Sequence, residues 1–344
     1  MELKENSSDY VKLKMALSIS ALLVLSLLAA SFYCYSYINS PPGSLSAPVM
    51  VEVRQGDSFY AVAKVLKEKN VIKSIRKFYL YSKLNDGLYS IKAGEYRFEP
   101  KMKTSEILSM LIKGSVIRYR VTIPEGYNIY QIAALFQKKG LLDGQDFMDK
   151  VFDKALMERL GVKGVSFEGY LYPETYFFVK GMDSDAIIST MVSRLRAVIS
   201  AEFKSRAREI DFTMEEVINL ASIIEKETGN PKERPVISAV FHNRLKKRMR
   251  LQTDPTVIYG MIENFDGDLR KKDLKRKTPY NTYRINGLPL GPIANPGIDA
   301  IRAALYPADV DYYYFVSKNN GSHVFSRTLN EHNRNVWRYQ KSLR

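Results

Sequence analysis

The chain has 344 residues, 45% of them hydrophobic, with 52 Lys and Arg against 37 Asp and Glu and a formal net charge of +15. That length and apolar content support more than one packed core, and the cationic excess calls for an anionic partner such as a lipid surface or an acidic polymer. A single cysteine, Cys34, excludes a disulfide framework, and His242, His323 and His332 lack ligand spacing, so no metal or cofactor is expected.

Residues 15–38 carry no charged side chain, and a helix needs roughly 20 apolar residues to cross a bilayer. Phe32, Tyr33, Tyr35 and Tyr37 cluster at the far end like an aromatic belt, while Lys12 and Lys14 flank the near end. The positive-inside rule leaves residues 1–14 in the cytoplasm and everything after the span outside it. The apolar stretch exceeds a usual signal-peptide core, so an uncleaved single span is expected, although Ala29-Ala30-Ser31 offers a weak cleavage site. A basic domain placed there meets lipid head groups and wall polymer, not nucleic acid.

Residues 39–50, with Pro41, Pro42, Gly43 and Pro48, read as a linker. Beyond it lies a repeat at a constant offset of 70 residues. Val53-Arg54-Gln55-Gly56 with Tyr60, Val62, Ala63, Leu66 and Lys69 matches Ile123-Pro124-Glu125-Gly126 with Tyr130, Ile132, Ala133, Phe136 and Lys139. Each copy predicts a short strand, a Gly turn and an amphipathic helix. Between them, residues 93–98 predict a strand and residues 104–112 a helix. The pattern resembles the small LysM-like modules that bind cell-wall glycan, and it is equally compatible with a βα scaffold that binds nothing.

The run Phe167-Glu168-Gly169-Tyr170-Leu171-Tyr172-Pro173-Glu174-Thr175 is aromatic and bracketed by acids. It reads as a core-lining turn, with a sugar-stacking platform as the alternative.

Thr213 and Glu216 form a capping-box pattern before a helix carrying Val217, Ile218, Leu220, Ala221, Ile223 and Ile224. Glu225 and Glu227 fall on the two flanks of its apolar face. Partial desolvation raises a carboxyl pKa and keeps a proton available for donation. Glu227, in the last turn beside Gly229-Asn230-Pro231, is the first choice for such an acid. Glu225 is the second carboxylate, and a solvent-facing pair is the structural alternative. Residues 234–250 predict a second helix with a basic end, followed by another basic cluster at residues 270–277; such runs are usually solvated faces. Residues 287–297 read as a rigid Pro/Gly loop at the cleft rim, residues 296–305 start a helix, and Tyr312-Tyr313-Tyr314-Phe315-Val316 with His323-Val324-Phe325 predicts a hairpin.

Together, Ala221-Ser222-Ile223-Ile224-Glu225-Lys226-Glu227-Thr228, Phe241-His242-Asn243-Arg244-Leu245, Leu251-Gln252-Thr253-Asp254-Pro255-Thr256-Val257-Ile258-Tyr259-Gly260, Tyr280-Asn281-Thr282-Tyr283 and Gly287-Leu288-Pro289-Leu290-Gly291-Pro292-Ile293 resemble the YceG-like family of endolytic murein transglycosylases. The likeness extends to Gly321-Ser322-His323-Val324-Phe325 and Glu331-His332-Asn333. Departures are small: Leu290 where a second Pro is common, and Ser322 where Gly is common.

The resemblance implies an α+β fold with a single N-terminal transmembrane helix, LysM-like α+β modules and an α+β catalytic domain with a helix-borne glutamate. The expected domains are a cytoplasmic tail (1–14), the span (15–38), a linker (39–50), a LysM-like module (51–118) and a catalytic region (119–344) that includes the second repeat at 119–150. It implies cleavage of the MurNAc–GlcNAc β-1,4 bond to leave a 1,6-anhydro end, terminating nascent strands at the inner membrane, in company with peptidoglycan synthases. Glu227-Thr228 matches the family's acid. Gln252, Asp254, Asn281 and Tyr283 are the expected substrate-binding groups, although Asp254-Pro255 also suits a turn and residues 280–283 suit a β segment. His323 on the hairpin is expected to be structural. The alternative function is a non-catalytic wall-binding membrane anchor.

Overall fold

The apolar run lies within a longer helix, α1 (Glu2–Asn39), which begins before the uncharged stretch and includes most of the mixed-charge segment ahead of it. The computed structural model describes residues 2–342, with side chains from Tyr10 onward. Within α1, Tyr10–Asn39 is long and apolar enough to cross a membrane, and none of that segment is buried. Chain contacts define two units, one of Met1–Arg118 with Val179–Gly181, the other of Tyr119–Phe178 with Met182–Arg344.

In the first unit, β1 (Val49–Val53) pairs antiparallel with β2 (Gly94–Phe98), placing Val51 opposite Tyr96. Between the strands run α2 (Phe59–Glu68) and α3 (Ile75–Leu84), and after them α4 (Thr104–Lys113). Ser58 and Ser74 cap α2 and α3 by accepting from the backbone N–H groups of Ala61 and Lys77. Alternation on β1 and three-to-four spacing on α2 send Val51, Val53, Val62, Ala63 and Leu66 into one core with Phe78, Tyr96, Phe98, Leu108 and Leu111.

The second unit starts with the second copy of the repeat, β3 (Arg118–Thr122) leading through a Gly126 turn at φ +75° to α5 (Ile129–Lys138). The chain runs on past residue 150 before β3 finds its partner. It continues through α6 (Gly144–Val151) and α7 (Lys154–Arg159) before β4 (Thr175–Val179) returns to pair with β3. The aromatic run ahead of β4 is core: Phe167, Tyr170, Leu171, Tyr172 and Tyr176 are all buried.

Next come α8 (Ser184–Val198), α9 (Ala201–Glu209) and α10 (Met214–Glu227). The capping box of α10 forms as the sequence suggests, with Thr213 and Glu216 bonded reciprocally. Residues 217 to 224 of α10 are all buried, because α9, α11 (Arg234–Lys246), α12 (Asp254–Tyr259) and α13 (Ile298–Leu305) pack around it. Helix α11 ends four residues earlier than its basic tail suggests, since Arg248 takes a left-handed φ of 56° and Met249 N–H folds back onto the Arg244 carbonyl. Asp254-Pro255 opens α12, with proline in its first turn, where a missing N–H costs nothing. Residues 280–283 form a turn and not a strand. The C-terminal part is the antiparallel hairpin β5 (Tyr314–Ser317) and β6 (His323–Ser326), followed by α14 (Leu329–Val336).

Candidate active site

Glu225 and Glu227 leave the same helical turn into different surroundings. Glu225 is nearly buried and fully engaged: Oε1 accepts from Arg234 Nη2 at 2.9 Å, and Oε2 accepts from the backbone N–H of Gly297 at 3.0 Å. Arg234, itself buried, also faces Glu125 and Asp299 at 3.8 and 3.7 Å. This cluster ties α10 to the start of α11 and α13, and it engages both carboxylate oxygens of Glu225.

Glu227 instead lines a cleft of about 400 Å³ whose other walls include Arg244, Gln252, Thr253, Asp254, Tyr283, Tyr314, His323 and His332. The Thr253 hydroxyl donates to Glu227 Oε1. Burial pushes the carboxyl up from its ordinary 4.5 to about 7; the nearby Asp254 charge adds to the rise, while the Thr253 bond, His323 and Arg244 oppose it. A carboxyl poised near 7 can both give and take a proton at neutral pH.

Each wall has a stated support. Thr253 N–H donates to Thr282 Oγ1 at 3.0 Å, and Thr256 Oγ1 bridges the Thr253 carbonyl and Thr282, so the signature loop is fixed by a threonine cluster. Gln252 enters the cleft from a left-handed backbone conformation, φ 51°, unusual for a residue with a β-carbon. Tyr283 donates its hydroxyl to Asp254 Oδ1 at 2.7 Å, which holds both polar groups at the cleft mouth. The Arg244 guanidinium is buried against carbonyls: Nε on Tyr313 at 2.6 Å and Nη1 on Leu251 at 2.6 Å, with Tyr314 over its face at 5.2 Å. Arg244 thereby clamps the signature loop and the hairpin to α11. On the hairpin, His323 donates Nδ1–H to Glu233 Oε2 at 2.7 Å, and its backbone N–H donates to Oε1 at 2.9 Å.

Three of the four expected substrate-binding residues, Gln252, Asp254 and Tyr283, therefore share the cleft with Glu227. Asn281 does not. It is fully buried, with Nδ2 donating to the carbonyls of Leu274 at 3.1 Å and Arg276 at 2.7 Å, and Oδ1 accepting from Tyr283 N–H at 2.9 Å. Its amide shapes the loop that delivers Tyr283. The Pro/Gly loop is also displaced from expectation. Leu288, Pro289, Leu290 and Pro292 border a separate cavity of about 470 Å³ with Glu215 and Asn219, near the other end of α10.

Sequence reasoning did not nominate Thr253, Arg244 or Glu168. Glu168 is fully buried, accepting from Ile129 N–H at 3.1 Å, Tyr259 OH at 2.8 Å and Asn295 Nδ2 at 2.9 Å. Burial raises its carboxyl to about 8 against the pull of those donors. Gly169 at φ +85° turns the chain directly after it, where a β-carbon would stand 2.5 Å from Pro292 Cγ. Glu168 braces α5 and α12 against each other.

A carboxyl of this kind at the end of a buried helix, in an open polar cleft and framed by a clamped loop and a hairpin, has the chemistry to give and take a proton. A family model described as the YceG-like family matches residues 51–338. An endolytic murein transglycosylase of Bacillus subtilis is 35% identical over 329 residues, covering 91% of this chain and 91% of that protein. One of Streptococcus pneumoniae is 29% identical over 357 residues, covering 93% of this chain and 64% of that longer protein. A crystal structure of a yceG-like protein from Listeria monocytogenes, at 34% identity and a TM-score of 0.57, covers 84% of this chain and 99% of that one. The chain belongs to the YceG-like family.

Proposed function

We propose that the chain is a membrane-anchored endolytic transglycosylase that cuts peptidoglycan glycan strands, with Glu227 as its acid and base. The observation that carries this reading is the Glu227 carboxyl, raised to about 7 and held by Thr253 on the wall of an open cleft. Protonated Glu227 gives its proton to the oxygen linking MurNAc C1 to GlcNAc as the C1–O bond breaks. The C6 hydroxyl oxygen of the same MurNAc then bonds to C1, and its proton returns to the Glu227 carboxylate. No water enters, the ends are a 1,6-anhydro-MurNAc and a free GlcNAc hydroxyl, and the enzyme is restored. One carboxyl suffices because the nucleophile belongs to the substrate.

Gln252, Asp254 and Tyr283 are placed to hold the sugar's amide and hydroxyl groups beside that proton. The order β1–α2–α3–β2 in the first unit, and its lengthened counterpart β3 to β4, supports LysM-like glycan binding by one or both copies. The charge asymmetry about α1 supports a single pass through the cytoplasmic membrane, N-terminus inside, with the rest of the chain on the wall side. There the enzyme works beside peptidoglycan synthases on nascent strands.

Full-length protein in detergent, incubated with purified peptidoglycan, is expected to release fragments ending in 1,6-anhydro-MurNAc by mass spectrometry. Glu227→Gln lowers that release by about a thousandfold while Glu225→Gln retains it in the folded fraction. Binding without anhydro ends would make the protein a wall anchor, and the reverse pattern of the two variants would transfer the acid to Glu225.

A further inference from the structure

Helix α3 turns an unpartnered face outward beside the exit of the apolar helix. Its inner side is fixed by Phe78, fully buried and stacked on Phe59 at 5.7 Å. The outer side is centred on Leu80, 59% exposed, and Leu84, 77% exposed, with exposed Arg76, Lys77 and Lys83 around them. An aliphatic centre rimmed by cations suits an interfacial helix better than a solvated surface, where exposed leucines gain nothing.

The location argues the same way. Lys77 Nζ lies over the Tyr33 ring of α1, 5.0 Å from its centroid. Where α1 ends, Thr104 at the start of α4 bonds the carbonyl of Tyr37 through Oγ1 at 2.7 Å and that of Ser40 through its backbone N–H at 3.2 Å, so the first unit is fastened to the helix and not merely strung from it. With α1 read as a span, the exposed Tyr33 and Tyr35 lie where its aromatic belt falls, so a helix that touches Tyr33 sits at head-group depth.

We propose that the Leu80–Leu84 face of α3, with Arg76, Lys77 and Lys83, docks on the anionic lipid surface around the membrane exit of α1. The leucines enter the boundary between head groups and acyl chains while the three cations pair with lipid phosphates. This rests on reading α1 as a membrane span, and the experiment separates the two claims.

The full-length chain is reconstituted in vesicles of phosphatidylcholine alone or with one-third phosphatidylglycerol, and an environment-sensitive fluorophore is placed on one cysteine at a time. Cys34, the native cysteine, reports on the span; Leu84→Cys in a Cys34→Ser background reports on α3; Tyr60→Cys in the same background, an exposed site on α2, reports water. The label at 84 is expected to shift to the blue and be quenched by lipid-borne quenchers in the anionic vesicles, as at 34, while that at 60 stays accessible to iodide. Arg76→Glu, Lys77→Glu and Lys83→Glu together abolish the shift at 84 and leave that at 34. If 34 is lipid-quenched while 84 responds like 60, the docking proposal is wrong. If 34 itself is water-exposed, the span fails first and the proposal goes with it.

Discussion

Glu225 and Glu227, two residues apart on α10, have exchanged none of their roles: the first is tied to Arg234 and Gly297, the second faces the cleft with Thr253 on its Oε1. Their flanking positions on one helical face are nearly equivalent in sequence. Partners from distant loops make them different.

Glu225→Gln leaves the buried Arg234 without its nearest counter-charge, although the amide can still accept from Gly297. Breaking a buried pair on one side costs about 3–5 kcal/mol. A lowered thermal midpoint is expected, with glycan cleavage per folded molecule unchanged; an unchanged midpoint would show that the pair contributes little.

Thr253→Val removes a hydrogen bond that favours the charged form of Glu227. In the proposed mechanism the acid must be protonated to act, so wild-type cleavage is expected to fall as pH rises through about 7. Without the Thr253 bond the carboxyl holds its proton to higher pH, and the falling limb of the rate profile moves up by about one unit. A limb that moves down, or stays, would remove Thr253 from this role.

Glu168 gives a pH signature of its own. Its folded pKa of about 8 lies above the ordinary 4.5, so its proton favours the folded state. That contribution is complete below about pH 4.5 and is lost as pH rises through about 8. Glu168→Gln abolishes this slope in the thermal midpoint. It also lowers stability at neutral pH by about 2 kcal/mol, because the amide must place two N–H groups where the protonated acid places one O–H.

Asn281 and Gln252 are distinguished by which property each change damages. Asn281→Ala strands loop carbonyls in the interior and is expected to cost about 2–3 kcal/mol of stability. Gln252→Ala spares stability and lowers kcat/KM for glycan. Equal stabilities of the two variants would contradict the buried position of Asn281.

The local features of the fold were legible because they depend on neighbours in the chain. The Thr213–Glu216 capping box, the strand–turn–helix start of both repeats and the C-terminal hairpin follow from side-chain spacing and turn chemistry. What was not legible depends on partners far along the chain. Arg244 looks like one cation in a solvated run, yet three backbone carbonyls from two other segments surround its guanidinium. Glu168 sits in an aromatic run that correctly reads as core, and nothing local says that three donors converge on its carboxylate. The return of the chain to β3 was not legible because residues 151–174 carry no repeat of their own, and pairing with β4 depends on residues far along the chain.

The hairpin that walls the cleft has a consequence for timing. Tyr314, His323 and His332 come from a part of the chain made well after Glu227, and Arg244 joins them to the signature loop. Until the hairpin docks, the cleft lacks these walls, so a version ending before Tyr314 is expected to cleave glycan poorly.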